Sequence, residues 1–105
     1  MKEFKLVITN DAKADLRKYL LYIKRKFNNP QAVRSVRDDF YQTAASLRTR
    51  ANTIQQANSE KMKRKGLKRV NFSSHDYFLI FRLTGTKVEV VQMFHFLEDY
   101  ENKLR

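Results

Sequence analysis

Asn28-Asn29-Pro30 restricts this chain more than any other segment, because it divides one long amphipathic stretch into two helices. Before it, Ala12, Leu16, Tyr19, Leu20, Ile23 and Phe27 recur at three- and four-residue spacing. That spacing lays them along one helical stripe, with Lys13, Arg17 and Lys24 on the opposite side. After it, Val33, Val36, Phe40, Ala44 and Leu47 repeat the pattern, to about Leu47 or Arg50. Asn29 is placed to cap the second helix, and Pro30 suits its first position, where a missing N–H costs nothing. Two apolar stripes across so short a joint predict an αα-hairpin. Its apolar side needs a second layer to cover it.

The flanking segments supply that layer. Residues 3–9 alternate, with Phe4, Leu6 and Ile8 on one face, and read as a strand. Asn10 and Asp11 offer N-cap oxygens to the first helix. Residues 51–66 lose the helical period and read as a loop or frayed helix end. Leu67–Phe72, Tyr77–Leu83 and Lys87–His95 read as three strands, separated by Ser73–Asp76 and by the tight-turn signal Thr84-Gly85. Residues 97–104 carry acids early and bases late, as the helix dipole favours, which suits a short C-terminal helix. The order β-α-α-β-β-β predicts one α+β domain over residues 1–105. Its helical hairpin packs on one face of an antiparallel sheet, and the other face is left partly open.

A chain of 105 residues suits a single domain with its own core. It has no cysteine, so disulfides, thiolate metal sites and a thiol nucleophile are excluded. There is no phosphate-cradling glycine loop and no His and carboxylate cluster at ligand spacing, so neither metal nor cofactor is expected. The opening MKEFKLVITN has no apolar run suited to a signal or a span, so the expectation is a cytoplasmic protein without a membrane partner. Twenty-two Lys and Arg against eleven Asp and Glu give +11. Such a charge suits an anionic partner, nucleic acid first; the bland alternative is a solvated basic surface.

Four features carry potential chemistry. Six of the nine residues from Lys61 to Arg69 are basic. Lys61, Lys63, Arg64, Lys65 and Lys68 there suit phosphate contacts, or a solvated loop. Arg69 sits mid-strand, where its fork would grip a phosphate or pair with Glu89. Arg82 interrupts an apolar strand and either supports a site or pairs with Glu89 across the sheet. His95, between Phe94 and Phe96, is either a general acid or base or a structural residue. His75 reads as an exposed turn residue, and no Ser–His–Asp arrangement is evident from chain order.

Taken together, Ala12, Asp15-Leu16, Tyr22-Ile23, Phe27 and Asn29-Pro30-x-Ala32, then Leu67-x-Arg69, Tyr77-x-x-Ile80-Phe81-Arg82, Val88-x-Val90-Val91 and His95, resemble the RelE/ParE family of bacterial toxins. The resemblance implies a type II toxin whose partner is an antitoxin with an acidic segment. RelE-like members cut messenger RNA on the ribosome, and ParE-like members poison DNA gyrase without a nuclease centre. The leading expectation is a metal-independent mRNA endonuclease. Arg69 would contact the scissile phosphate, His95 would act as acid or base, and Glu60 would match the glutamate base of some relatives. Lys63, Lys65 and Arg82 would be supporting cations. The alternatives are a gyrase inhibitor or an inactive nucleic-acid-binding relative. Phe96 and Phe81 stand where nuclease relatives often carry tyrosine.

Overall fold

In a computed structural model, residues 3–56 and 58–105 are described. The elements run β1 (Lys5–Ile8), α1 (Asn10–Phe27), α2 (Pro30–Arg50), a single 3-10 turn (Ala51–Thr53), α3 (Glu60–Lys65), β2 (Leu67–Asn71), β3 (Tyr77–Thr84), β4 (Lys87–His95) and α4 (Tyr100–Lys103). The α+β class and the hairpin are as expected. The helix ends follow local chemistry. Thr9, rather than Asn10 or Asp11, caps α1, its hydroxyl oxygen accepting from Ala12 N at 3.2 Å. The Asn29 side chain accepts from Gln31 N and Ala32 N and starts α2 with Pro30 in its first turn. Each such cap contributes about 1 kcal/mol. Asn28 ends α1 in the left-handed region, φ 47°.

The sheet order is β1-β4-β3-β2. β2–β3 and β3–β4 are antiparallel, whereas β1 joins β4 in parallel, with Lys5 opposite Lys87 and Ile8 opposite Val90. The sheet is therefore mixed rather than wholly antiparallel. The α1–α2 hairpin returns the chain to the side from which β1 left, so β4 pairs with β1 in the same direction. β1 stops opposite Val90, and β4 runs on with that edge unpaired. The Met93 N–H on this edge is taken by the buried Asp15 carboxylate of α1 at 3.0 Å, while Arg105 reaches its other oxygen at 3.0 Å. Asp15→Asn keeps one acceptor oxygen but loses the charge. We expect it to cost about 1 kcal/mol, read as a lower urea midpoint with an unchanged slope.

Two cores form, one on each side of the sheet. The larger joins Leu16, Ile23, Val36, Phe40 and Leu47 of the helices to Leu79, Phe81, Val88, Val90 and Met93. The smaller joins Met62, Leu67, Phe78, Ile80, Phe94 and Leu104, with Val91 and Tyr100 against it. The outer sheet face is thus largely covered, not open. Its cover comes from the segment expected to be a loop. Ser59 accepts from Met62 N, and Gly66 ends the helix at φ 67°, so the basic run folds as α3 and drives Met62 into the sheet. The part of that expected loop at Ala57 lies outside the described residues. Among the described residues, no helix is long and apolar enough to cross a membrane.

Candidate functional site

The β3–β4 register decides which candidate residues meet. Ile80 lies opposite Gln92 but Phe81 opposite Val90, so Val91 is an extra residue in β4. A bulge of this kind reverses the alternation beyond it. Val88 and Val90 face the helices, yet so does Met93, whereas Phe94 faces outward. His95 follows Met93 onto the helix side, where its ring meets Tyr77 edge-on at 5.0 Å. In a regular strand Glu89, Val91, Met93 and His95 would share one face; the extra residue at Val91 breaks that alternation.

Arg69 projects from the other face. Its guanidinium lies 3.6 Å above the Phe78 ring, with Phe96 at 5.4 Å and Tyr100 at 5.6 Å. Its Nε donates to Asn71 Oδ1 at 3.0 Å. Stacking on a ring face is worth about 0.5–2 kcal/mol and holds the guanidinium plane fixed. Arg69 is not paired with Glu89, and the sheet lies between its side chain and that of His95.

His95 borders a groove of about 430 Å³ whose walls include Tyr19, Tyr22, Tyr77 and Leu97. Glu98 closes one end: it accepts from the Tyr19 hydroxyl and from His95 N, and pairs with Lys103 at 3.0 Å. The Leu97 N–H donates to His95 Nδ1 at 3.1 Å, which places the proton of the neutral ring on Nε2. Burial raises the Tyr77 phenol above its ordinary value, with Tyr22 and Asp76 adding to the shift, so it stays neutral at physiological pH. The groove continues along α1 past Leu21, Arg25 and Lys26. Leu97 is 89% exposed and Tyr22 54%, beside the cations Lys18, Arg25 and Lys26.

The remaining cations are dispersed. Lys61 donates to the Glu101 carbonyl at 2.6 Å and ties α3 to α4. Glu60 lies exposed in the first turn of α3 and pairs with Lys63 at 3.7 Å. Arg64 and Lys65 are exposed on α3, and Lys68 is half-buried on β2. Arg82 is opposite Glu89 in the register without an ion pair closing between them, and borders a separate cleft with Gln92 and Arg105. Among the described residues no group of three His, Asp or Glu side chains is arranged to hold a metal ion.

One constellation was invisible in chain order. Asp39 of α2, 5% exposed, accepts from Ser73 N at 3.2 Å, Ser74 N at 2.9 Å and His75 Nδ1 at 2.7 Å, while His75 Nε2 lies 3.2 Å from Ser35 Oγ. His75 is therefore a half-buried partner of Asp39, not a free turn residue. Burial alone would raise the Asp39 pKa, but the hydrogen bonds from His75, Ser74 and Ser73 outweigh it and carry the carboxyl below its ordinary value of 3.8. Ser35, His75 and Asp39 have the order of contacts of a hydrolytic triad. Asp39, however, spends its oxygens on two backbone N–H groups of the β2–β3 turn, so the cluster works as a latch between that turn and α2.

Residues 6–100 match the family model described as ParE toxin of type II toxin-antitoxin system, parDE. A solved structure described as a chromosomal ParDE TA system from P. aeruginosa is similar over 89% of this chain and 96% of that one, at TM-score 0.73 and 19% identity, a likeness of fold. None of the curated proteins searched matches this chain.

Proposed function

This chain belongs to the family of ParE toxins of type II toxin–antitoxin systems, and from that membership we propose that it arrests growth by poisoning DNA gyrase, without cutting RNA itself. The observation that carries this reading is the separation of Arg69 from His95. Attack by a ribose 2′-hydroxyl on its phosphate needs a base, an acid and a cation around one phosphorus, each within hydrogen-bond reach. Here the strand arginine stacks on the outer face, over Phe78 and near Phe96 and Tyr100, while the histidine lies on the helix side beside Tyr77. Glu60, Lys63 and Lys61 have partners within α3 and α4. An inhibitor that works by occupying its target needs shape and charge but no such centre.

A toxin of this family is made with an antitoxin. The groove beside α1, apolar along Tyr19, Tyr22 and Leu97 and rimmed by Lys18, Arg25 and Lys26, suits an acidic amphipathic segment of that antitoxin.

Purified protein added to gyrase and supercoiled plasmid should trap double-strand breaks, seen as linear DNA after denaturation. Messenger RNA in a translation reaction should stay intact. Codon-spaced message cleavage with gyrase unaffected would overturn the proposal. Normal growth on expression of the free toxin would point instead to an inactive relative.

A further inference from the structure

Asp39, His75 and Ser35 are joined in series, and the latch between α2 and the β2–β3 turn uses only the inner part of the series. Burial works against the Asp39 charge, but the hydrogen bonds from His75, Ser74 and Ser73 carry its carboxyl below 3.8, so it is ionised at neutral pH. A carboxylate only accepts hydrogen bonds, so Asp39 Oδ2, 2.7 Å from His75 Nδ1, fixes the ring proton on that nitrogen. The neutral ring then has a bare lone pair on Nε2, 3.2 Å from Ser35 Oγ and within reach of a general base. His95 has the other tautomer: its Nδ1 accepts from Leu97 N–H, so its Nε2 carries the proton and is no base for a hydroxyl. Ser35 is exposed on α2, His75 is half-buried and Asp39 is buried. An accessible hydroxyl thus rests on a base that a buried anion holds in place. The latch accounts for Asp39 and for His75 Nδ1, but not for an exposed hydroxyl set on the remaining ring nitrogen.

We propose that Ser35 is a nucleophilic acceptor of activated acyl groups, with His75 as its general base. Ser35 Oγ bonds to the acyl carbon while its proton passes to His75 Nε2. The bond from that carbon to the leaving group breaks, and the leaving group departs with the bonding pair. The imidazolium then returns its proton to the leaving group or to solvent. Ser35 N–H belongs to the hydrogen-bond ladder of α2, so the backbone beside the nucleophile offers no donor to a tetrahedral oxyanion. An activated donor brings its own good leaving group and needs little such help, whereas hydrolysis of the resulting alkyl ester does need it. The ester therefore accumulates, and Ser35 is an acylation site rather than the centre of a hydrolase. Acylation of Ser35 is independent of the gyrase reading, since the adduct is measured on the toxin alone.

The intact protein is treated with a fluorophosphonate, which bonds through phosphorus to an activated serine and releases fluoride, and separately with p-nitrophenyl acetate. Peptide mass spectrometry locates the adducts. Ser35 should take up both groups. Ser46, on the same helix with its hydroxyl donating to the Thr43 carbonyl at 2.7 Å, has no such base and should take up neither. His75→Ala should slow labelling of Ser35 about 100-fold or more. Added imidazole should restore part of that rate, which a purely structural role of His75 does not allow. Ser35→Ala should lose both adducts while acetylation of surface lysines by the ester is unchanged. If His75→Ala fails to fold, the comparison of Ser35 with Ser46 in the wild type still decides. No adduct at Ser35, equal uptake at Ser35 and Ser46, or a folded His75→Ala variant that labels as fast as the wild type overturns the proposal. So does a slowed variant that imidazole leaves unchanged, which would make His75 structural.

Discussion

Phe78→Ala is expected to lower the unfolding free energy by about 3–5 kcal/mol, the range for deleting a buried aromatic side chain. Phe78 is fully buried at the centre of the outer core. Its ring meets Phe94 at 5.7 Å, Phe96 at 6.1 Å and Tyr100 at 5.3 Å, and carries Arg69 on its face at 3.6 Å. Truncation opens a cavity among rings that belong to β4, the residue after it and α4 and are too stiff to collapse into it. It also removes the surface that orients Arg69. A domain of this size is stable by about 5–15 kcal/mol, so one residue accounts for a large part of the total. Denaturant unfolding measures the loss, and Phe96→Ala, at a site 41% exposed, supplies the contrast with a much smaller effect. Equal, small changes at both positions would show that the outer core contributes little.

Asp39→Ala is expected to cost about 2–4 kcal/mol, because it strips partners from two backbone N–H groups and from His75 at once. The effect should depend on pH with a definite sign. The folded Asp39 carboxyl titrates below its unfolded value of 3.8. Its stabilisation is therefore fully present above that value and is lost as pH falls through the folded pKa. Thermal midpoints of the wild type and Asp39→Ala should differ most near neutrality and converge in acid, once the pH has fallen through the folded pKa. A constant difference into strong acid would mean that the carboxylate's charge is not what the latch uses. Ser35→Ala, which removes only the outer contact to His75, should shift the midpoint little.

Helices α1 and α2 were legible because each carries its own punctuation. The α1–α2 joint is written in Asn28, Asn29 and Pro30, and the three C-terminal strands in their turns. What was not legible depends on residues far apart or on single residues. The pairing of β1 with β4 leaves no local mark. The Val91 bulge is one extra residue in an otherwise regular alternation, yet it decides the face from which His95 projects. α3 looked like a loop because Met62 is the only apolar residue among six, too few for a period. Its real signals were the flanking Ser59 and Gly66. The Asp39–His75 contact joins α2 to a turn beyond α3, and chain order does not disclose it. Arg69 was found as a residue, but its surroundings, three rings from β3, the chain after β4, and α4, needed the fold.

The parallel β1–β4 pair also bears on when this protein can exist during its own synthesis. β1 emerges from the ribosome before the other strands of the sheet, and the strand beside it, β4, is the last of the four to be made. Until Lys87–His95 has emerged, α1 and α2 have no complete sheet to pack on, and the Met93 N–H that Asp15 receives has not been made. Such distant closure makes folding late and comparatively slow. The toxin's surface is therefore finished only once β4 has been made.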